Sequence, residues 1–505
     1  MTSEDCLLRI DQASCRINRH SHLRVSHFSL RQGEHWCIFG SNGSGKTLLA
    51  SLIAGKRPES GSYVTYREEL KPRRDIVMVS FEEQQRLWQR DNRLDISEYS
   101  DRAEDPGTTV HQLLQSGLAA GAALPDAHES IVEQLDLGKL LHSGIRFLSS
   151  GQIRRALIGR ALIAAVGETL KLVVLDDPLE SIDRESRQQI IDCIEAHRAS
   201  EGFSSLLLCR RQCDILPGTT HMAFVENLVL TRQGRLADVL VSQYFRDRAG
   251  RVPRLPDCLP AAEIPEAPAL ASSEVIIDLE DIHANYGDKR VLESVTWRMT
   301  NSHHTLIDGP NGCGKSTLLS LVCGENHMAY GQKVRLFGKQ RGNGETVWDI
   351  KSQFGLVSNE LHNKYVKGWK ALDVVVSGLY DSVGLYDYNF DRDWAVAKKW
   401  LACLGLAGFE SRLFHELSFG QQRLILLARA MVKSPAVLIL DEPCVGLDDY
   451  HRQLILGILD LIASQTRTRL IYVSHLAEEW PSCMNQRLEF VSVGESTYSL
   501  IQHEL

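Results

Sequence analysis

Two copies of one pattern divide this chain of 505 residues into halves. GSNGSGKT begins at Gly40 and GPNGCGKS at Gly309, an offset of 269 residues, and the same offset separates LSSGQ at Leu148 from LSFGQ at Leu417. The stretches LDDP and LDEP follow at residues 175 and 440, an offset of 265. Shared order and spacing over such lengths indicate a duplicated unit, not chance motifs. The chain is therefore predicted to fold as two similar domains, which its length also favours.

The stretch between the copies has the composition of a linker. Residues 253–268 read PRLPDCLPAAEIPEAP, with five of the fifteen prolines and no aromatic residue. Such segments adopt extended conformations. We predict a first domain over residues 1–249, a proline-rich linker over 250–273 and a second domain over 274–505.

Short apolar runs alternate with helical patterns inside each half. HWCIF (35–39) and LVVL (172–175) lie in the first half, and VLIL (437–440) and LIYV (470–473) in the second. Continuous apolar strands joined through helices are typical of a parallel sheet covered on both faces. The predicted fold class is α/β, with a parallel-sheet core in each half.

Each half places the pattern G-x-x-x-x-G-K-[ST] after an apolar strand and before a helix. Glycines let successive backbone N–H groups surround phosphates at a helix N-terminus, and lysine adds a positive charge. The alternative, a glycine-rich turn with a solvated lysine, does not account for two copies in one context. The predicted phosphate-binding residues are Gly40, Ser41, Asn42, Gly43, Ser44, Gly45, Lys46 and Thr47, and Gly309, Pro310, Asn311, Gly312, Cys313, Gly314, Lys315, Ser316 and Thr317.

Four side chains in or near these motifs suit Mg²⁺. Thr47 and Ser316 can present a hydroxyl to the ion. Asp176 and Asp441 each end a run of four apolar residues, where a strand's carboxyl edge brings a carboxylate to the ligand. A simple acid at a strand end is the alternative for each aspartate.

The motifs LSSGQ and LSFGQ, with the loops and carboxylates, make the chain resemble the ABC-type ATPases over nearly its whole length. Either motif alone would equally mark a helix cap, because serine before glycine is good capping chemistry. Both depart from the usual LSGGQ at the third residue, with Ser150 and Phe419. The resemblance implies two tandem P-loop ABC nucleotide-binding domains, each with a helical subdomain, that bind and hydrolyse ATP with Mg²⁺.

The resemblance further implies an intramolecular pseudo-dimer in which two ATP molecules lie between the domains. The first site would combine Lys46, Thr47, Asp176, Ser418 and Gly420. The second site would combine Lys315, Ser316, Asp441, Ser149 and Gly151.

The two predicted sites differ in their catalytic residues. Similar cassettes place a glutamate after the magnesium-linked aspartate to polarise the attacking water, and Glu442 matches it, whereas Asp177 is shorter by one C–C bond. A misplacement near 1 Å costs on the order of 100-fold in rate. His475 matches the family's switch histidine, which contacts the γ-phosphate. In the corresponding stretch of the first half, Arg210 stands in place of the histidine.

Two further positions can be compared with the family pattern. One is the aromatic residue that stacks on adenine, and the other is a glutamine expected after the strands near VMVSF and FGLVS. Tyr286 fits the aromatic, and Ile17 stands at the equivalent position in the first half. The glutamine is replaced by Phe81 in the first half and by Asn359 in the second. Gln84 or Gln85 are candidates to compensate in the first half. Drift or a one-residue slip in the alignment could explain any single difference. Together they predict that Glu442 and His475 hydrolyse ATP, while the Asp177 site holds it.

Among tandem families, the chain resembles the ModF-type molybdate-transport ATP-binding proteins. The resemblance lies in GNGETVWDIKSQFGLVS (342–358) and SGLYDSVGLY (377–386). It implies a separate integral membrane subunit as partner, and a location in the cytoplasm or on the cytoplasmic face of the inner membrane. The alternative is a soluble ABC ATPase acting on the ribosome or another cytosolic complex, but such proteins carry a long charged helical arm between cassettes.

The charge of the chain argues against nucleic acid as a direct partner. Its formal net charge is −8 and its pI is about 6.2. A protein built to coat nucleic acid would carry the opposite excess. No nucleic-acid contact is expected.

Overall fold

The computed structural model describes residues 6–16, 22–55, 63–93, 107–118, 127–166, 171–180, 182–261, 274–286, 289–344, 346–365, 368–385, 391–494 and 497–505. The chain divides into two compact units, Met1–Arg251 and Val252–Leu505. Each unit is described by itself below. Within the described ranges, no helix combines the length and apolar character needed to cross a bilayer.

Unit 1 alternates strands and helices. Its strands are β1 Cys6–Arg16, β2 His22–Arg31, β3 His35–Phe39, β4 Tyr63–Tyr66, β5 Ile76–Val79, β6 Leu172–Asp176, β7 Ser204–Cys209, β8 His221–Glu226 and β9 Val229–Arg235. Its helices are α1 Lys46–Ile53, α2 Pro72–Asp75, α3 Phe81–Arg93, α4 Val110–Gln115, α5 Ala127–Gln134, α6 Ser150–Ala165, α7 Arg184–Glu201, α8 Leu236–Leu240 and α9 Gln243–Ala249.

Unit 2 repeats this order. Its strands are β10 Val275–Tyr286, β11 Lys289–Thr300, β12 Thr305–Asp308, β13 Lys333–Leu336, β14 Lys339–Gln340, β15 Phe354–Val357, β16 Val437–Asp441, β17 Arg469–Val473, β18 Gln486–Gly494 and β19 Thr497–Glu504. Its helices are α10 Lys315–Val322, α11 Val347–Lys351, α12 Asn359–Lys364, α13 Ala371–Val376, α14 Asp391–Cys403, α15 Phe419–Met431 and α16 Asp449–Gln465.

A parallel core with an antiparallel wing makes up each sheet. In the described part of unit 1 the strand order is β4-β1-β2-β9-β8-β3-β7-β6-β5, and the run from β8 to β5 is parallel. In unit 2 it is β14-β13-β10-β11-β19-β18-β12-β17-β16-β15, with β18 to β15 parallel. The predicted α/β class with a parallel core is confirmed. The antiparallel strands, such as β1 and β2, extend the sheet beyond that prediction.

The continuous apolar strands are covered on both faces, as predicted. Val173 and Leu175 of β6 face a core built with the helices α4 to α7, while Leu172 and Val174 face a second core built with α1 and the antiparallel strands. Strand β16 divides in the same way between two cores in unit 2. Because successive side chains of a strand point to opposite faces, a strand buried on both sides needs an apolar residue at every position.

The described part of the proline-rich segment packs on unit 2. The side chain of Leu255 lies against Gly457, where an added Cβ would be 2.6 Å from Leu255 Cδ2. Leu259 N donates to Gln465 Oε1 at 3.1 Å, and Leu259 joins the apolar core of that unit. Residues 262–273 of the predicted linker lie outside the described residues. The domain limits drawn from the sequence remain a prediction.

Candidate functional site

The first glycine-rich loop connects β3 to α1 and turns its lysine inward. Lys46 Nζ donates to the carbonyl oxygens of Gly40 at 2.7 Å and Ser41 at 3.0 Å, so the side chain curls over its own loop. Gly45, which precedes α1, has φ 108° and ψ 11°, a left-handed conformation that glycine adopts without steric cost. The loop thereby forms a closed cradle at a helix N-terminus.

The second loop has the same geometry. Lys315 Nζ donates to the carbonyl oxygens of Gly309 at 2.8 Å and Pro310 at 2.9 Å. Gly314 has φ 105°, and a Cβ added there would lie 2.8 Å from Leu292 Cδ2. The glycine is therefore required both by backbone conformation and by packing.

The cradle has the polar groups that a phosphate needs. Ser44 Oγ is buried, and within the described residues it makes no hydrogen bond. A Cβ added at Gly40 would lie 2.4 Å from the carbonyl oxygen of Val225, so the loop leaves no room for a side chain there. An unsatisfied buried hydroxyl beside a lysine and a helix N-terminus suits an anion, and the residues fit a nucleotide phosphate.

The two strand-end aspartates are buried, and each lies beside a second carboxylate. Thr47 Oγ1 donates to Asp176 Oδ2 at 2.9 Å, which joins the loop to the end of β6. Burial and the neighbouring Asp177 raise the pKa of Asp176 to about 6. Burial and Glu442 likewise raise the pKa of Asp441 to about 6. A buried carboxylate in such surroundings is stabilised by a cation, so these residues fit a divalent metal ion.

The backbone presents Asp177 and Glu442 identically. Their φ angles are 45° and 48°, both in the left-handed region. Asp177 N donates to Leu208 O at 3.0 Å, and Glu442 N donates to Val473 O at 3.1 Å. The two positions therefore differ in their side chains and not in the course of the chain.

The partners of these two carboxylates are different. His475 Nδ1 lies 3.4 Å from Glu442 Oε1. Arg210 Nη2 lies 3.1 Å from Asp177 Oδ2 and 2.6 Å from Glu180 Oε2, and Arg210 Nη1 donates to Asn42 Oδ1 at 3.3 Å. The second unit thus places a histidine beside its carboxylate, whereas the first builds an ion cluster that reaches the glycine-rich loop.

Electrostatics widen this difference. Burial opposes ionisation of Glu442, but His475, Lys315 and Arg423 outweigh it and keep the pKa of Glu442 below its usual value. Burial also opposes the charge on Arg210, but Asp177 and Glu180 outweigh it and raise the pKa of Arg210. Glu442 therefore ionises readily, whereas Asp177 lies against a guanidinium and burial still raises the pKa of its carboxyl.

Both predicted signature serines begin a helix. Ser149 Oγ accepts from Gln152 N at 3.3 Å, and Ser418 Oγ accepts from Gln421 N at 3.4 Å, each within a capping box. The capping alternative is therefore realised, but a capping hydroxyl still has its own proton to donate. A Cβ added at Gly420 would lie 2.4 Å from the His451 ring, so this position has no room for a side chain.

The packing explains why unit 2 has an aromatic residue at the third signature position. The ring of Phe419 stacks on His362 with centroids 4.8 Å apart, and Arg423 Cζ lies 4.9 Å from the Phe419 centroid. On another side, a Cβ added at Gly446 would be 2.5 Å from the Phe419 ring. Phe419 therefore fills a shaped pocket inside its own unit.

The structure describes only one of the two positions compared for adenine stacking. The backbone of Tyr286 ends β10 and pairs with Lys289. Ile17 lies outside the described residues. The stacking role of Tyr286 stays a prediction.

Three residues near the carboxylates were missed by the sequence analysis: Glu180, Arg154 and Arg423. Glu180 lies three residues after Asp177, where the second copy has Val445, so aligning the copies could have found it. Arg154 and Arg423 hold the same position, five residues after the signature serine. Their burial, at 3% and 0% exposure, was not visible in the sequence.

Comparison with a protein-family model decides the family. The model described as ABC transporter matches residues 23–180 and 292–445, one match in each unit. The chain belongs to the ABC transporter family. It is a tandem ABC ATPase, and the predicted enzyme class is confirmed.

Curated relatives extend the similarity of this tandem ABC ATPase across both units. It is 35% identical over 495 residues to the ABC transporter ATP-binding protein ModF of Escherichia coli strain K12, covering 96% of this chain and 97% of ModF. It is 26% identical over 477 residues to an uncharacterized ABC transporter ATP-binding protein of Schizosaccharomyces pombe, covering 91% and 93%. The predicted resemblance to ModF is confirmed.

Solved structures share the fold of the tandem ABC ATPase. One is the archaeal ribosome recycling factor aABCE1 in complex with the stalk protein aP1, with a TM-score of 0.59, 16% identity, and coverage of 98% of this chain and 90% of that chain. Another is the RNase-L Inhibitor, with a TM-score of 0.55, 16% identity, and coverage of 100% and 91%. At this level of identity the similarity shows the fold alone, and it confirms two ABC nucleotide-binding domains.

Proposed function

We propose that this tandem ABC ATPase is the energising subunit of a transporter, and that unit 2 hydrolyses ATP while unit 1 retains it. The observation that carries the asymmetry is the partner of each carboxylate after the strand. Glu442 has His475 beside it, whereas Asp177 is paired with Arg210.

Unit 2 has the groups that hydrolysis requires. Glu442 is ionised near neutral pH and can accept a proton from an attacking water, because its pKa is held low. His475 lies close enough to orient Glu442, and Lys315 is directed into the loop where phosphate charge develops. General-base catalysis of this kind contributes typically 10²–10⁴-fold in rate.

Unit 1 has a cation beside the carboxylate that corresponds to the base. The Arg210 guanidinium occupies Asp177 and Glu180, so Asp177 is not available to take a proton from water. The same guanidinium reaches Asn42 of the glycine-rich loop, where its positive charge favours a bound triphosphate. Retention of nucleotide is the expected result.

Magnesium would be held by the threonine or serine of each loop and the aspartate after it. Thr47 already donates to Asp176, and Ser316 with Asp441 occupies the same positions in unit 2. When bound, Mg²⁺ neutralises charge on the β- and γ-phosphates. These residue assignments rest on the raised pKa values of the two aspartates and on the family.

The sharing of each nucleotide between units is proposed from the family alone. Ser418 and Gly420 would complete the site of Lys46, and Ser149 and Gly151 would complete that of Lys315. A matched pair of Ser149→Arg and Ser418→Arg variants tests this. The first is expected to abolish turnover and the second to release the retained ATP, and the opposite assignment would reject the head-to-tail arrangement.

The asymmetry is tested by the nucleotides that remain bound after turnover. The full chain is incubated with Mg²⁺ and ATP and desalted rapidly, and the bound nucleotides are separated by chromatography; ATP and ADP are expected together. Glu442→Gln is expected to lower phosphate release by about 100-fold or more, and its isosteric counterpart Asp177→Asn to leave most of it. Comparable losses from both variants would remove the asymmetry.

The transport role is supported by 35% identity, over 96% of the chain, to an ABC transporter ATP-binding protein. The cargo suggested by the ModF resemblance is molybdate, and binding to a membrane subunit would place the protein on the cytoplasmic face of the inner membrane. Affinity purification from detergent-solubilised cells should recover an integral membrane protein. Recovery of ribosomes without one would favour the soluble alternative.

A further inference from the structure

The proline-rich segment that begins unit 2 places a cysteine beside a cysteine of α14. Cys403 is the last residue of that helix, and Cys403 Sγ donates to the carbonyl oxygen of Cys258 at 3.6 Å. The two residues are 145 positions apart in the chain, so only the packing of the segment brings them together. Neither belongs to the glycine-rich loops, the strand-end carboxylates or the signature motifs.

Hydrogen bonds hold the segment on both sides of Cys258. Gln465 Nε2 donates to Asp257 O at 3.5 Å, and Leu259 N donates to Gln465 Oε1 at 3.1 Å. Leu259 also packs against the apolar core of unit 2. Because both neighbours of Cys258 are bonded to one side chain of α16, the backbone of Cys258 is kept close to Cys403.

The geometry brings the two thiols within reach of each other. A carbonyl oxygen lies about 2.4 Å from the Cα of its own residue, so Cys403 Sγ lies within about 6 Å of the Cys258 Cα. A disulfide joins Cα atoms that are about 4.4–6.8 Å apart. Cys258 is exposed, and exposed side chains change rotamer rapidly, so its sulfur can turn towards that of Cys403.

Another cysteine pair shows why accessibility matters. Cys37 Sγ and Cys209 Sγ lie 3.2 Å apart on the neighbouring strands β3 and β7, but both residues are 0% exposed. Oxidation of a thiol requires that the oxidant reach it. The exposed Cys258 and the half-buried Cys403 meet that requirement, whereas the pair between β3 and β7 does not.

We propose that Cys258 and Cys403 form a reversible disulfide when the protein meets a peroxide, and that this bond ties the proline-rich segment to α14. Cys258 reacts first because it is exposed. Burial, and then the nearby Cys258, raise the pKa of Cys403, so its thiolate is the scarcer of the two and acts second. The inference does not depend on which unit hydrolyses ATP.

The reaction has two steps. The Cys258 thiolate attacks a peroxide oxygen, so that an S–O bond forms, the O–O bond breaks and hydroxide leaves, which gives a sulfenic acid. The Cys403 thiolate then attacks that sulfur, the S–S bond forms, the S–O bond breaks and a second hydroxide leaves. With the two thiol protons, two thiols and one hydrogen peroxide give one disulfide and two waters. A thiol reductant reverses the bond.

Peptide mapping of the full chain tests the bond. The reduced protein is treated with hydrogen peroxide under native conditions, and the remaining thiols are blocked with iodoacetamide before digestion with trypsin. Trypsin places Cys258 in peptide 255–289 and Cys403 in peptide 400–412, and neither peptide has another cysteine. The two peptides are expected to be joined, at a yield at least about tenfold above that without peroxide, and to separate in dithiothreitol.

Two results would show that the inference is wrong. In one, Cys258 is recovered only unlinked, as the blocked thiol or as a sulfinic or sulfonic acid. In the other, a mixture of unlabelled and isotope-labelled chains gives joined peptides of mixed label, which would place the bond between two chains. The exposed Cys213 supplies the control variant, because Cys213→Ser should leave the yield of joined peptides unchanged.

The hold on the segment is tested by limited proteolysis at Arg254. This exposed trypsin site lies four residues before Cys258. Cleavage requires local opening of the chain, so oxidation should slow it by about threefold or more in the parent. In Cys258→Ser, the same treatment should leave the rate unchanged. Equal rates for the oxidised and reduced parent would contradict the proposed tie to α14.

Discussion

Replacing Glu442 with aspartate would give unit 2 the carboxylate of unit 1. The backbone at the two positions is the same, with φ 48° at Glu442 and 45° at Asp177, so the substitution changes only side-chain length. One C–C bond, about 1.5 Å, is removed between the backbone and the carboxylate. The 3.4 Å separation between Glu442 Oε1 and His475 Nδ1 then exceeds hydrogen-bonding range.

The expected cost follows from that displacement. A reacting group misplaced by about 1 Å loses on the order of 100-fold in rate, or roughly 2.7 kcal/mol in the barrier. Glu442→Asp should therefore lower kcat for phosphate release by about 100-fold, while the Kd for ATP, measured by equilibrium binding, stays within about twofold. The binding of ATP should be kept because Lys315 Nζ is held by the carbonyl oxygens of Gly309 and Pro310, which the substitution does not alter.

The reciprocal change, Asp177→Glu, is the control. A longer carboxylate in unit 1 remains beside Arg210, so turnover should not rise. A kcat for Glu442→Asp within about threefold of the parent would refute the argument from side-chain reach. A severalfold gain from Asp177→Glu would refute the argument that Arg210 holds the first carboxylate.

Three other outcomes are expected. Gly314→Ala should weaken ATP binding by more than about tenfold, because φ is 105° and the new Cβ would lie 2.8 Å from a neighbouring side chain. Gln486→Leu should lower the free energy of unfolding of unit 2 by about 1–3 kcal/mol for each donor it orphans, Trp297 Nε1 and Thr305 Oγ1, as measured by urea denaturation. Burial, then the nearby Arg469, lowers the pKa of His304 from 6.5 to about 4, so stability is full above pH 6.5 and should fall by roughly 2 kcal/mol between pH 7 and pH 5.

Each of these has a control. Gly331→Ala adds a Cβ with nothing within 4 Å and should leave ATP binding unchanged. Gln453→Leu alters an exposed position and should change stability by no more than about 0.5 kcal/mol. His304→Gln should reduce the pH dependence between pH 7 and pH 5. Equal effects from a variant and its control would contradict the reasoning in that case.

Much of the site could be predicted because its determinants are local. The glycines of each loop and the lysine that follows them lie within a few residues of one another in the chain, whereas Asp176 is 129 residues away from Thr47. Their conformations depend on backbone freedom and on helix initiation, which neighbouring residue types decide. In the structure, Lys46 and Lys315 each donate to a carbonyl oxygen of their own loop.

Other features required distant segments to meet. Glu180 joins Arg210 only because β6 and β7 are neighbours in the sheet, and Arg423 meets Asn359 across 64 residues of chain. The antiparallel part of each sheet could likewise not be predicted from the sequence. Its pairing depends on the register between strands and not on the apolar runs themselves.

The amino-acid sequence by itself determined that this protein is a duplicated nucleotide-binding chain, and that its two copies differ at the residue after the strand-end aspartate. Tertiary structure alone decided what that difference means: Arg210 is an ion-pair partner of Asp177, whereas His475 lies 3.4 Å from Glu442. The reason is physical. Loop conformation is set by adjacent residues, whereas the state of a buried charge is set by whichever groups the fold brings within a few ångströms of it.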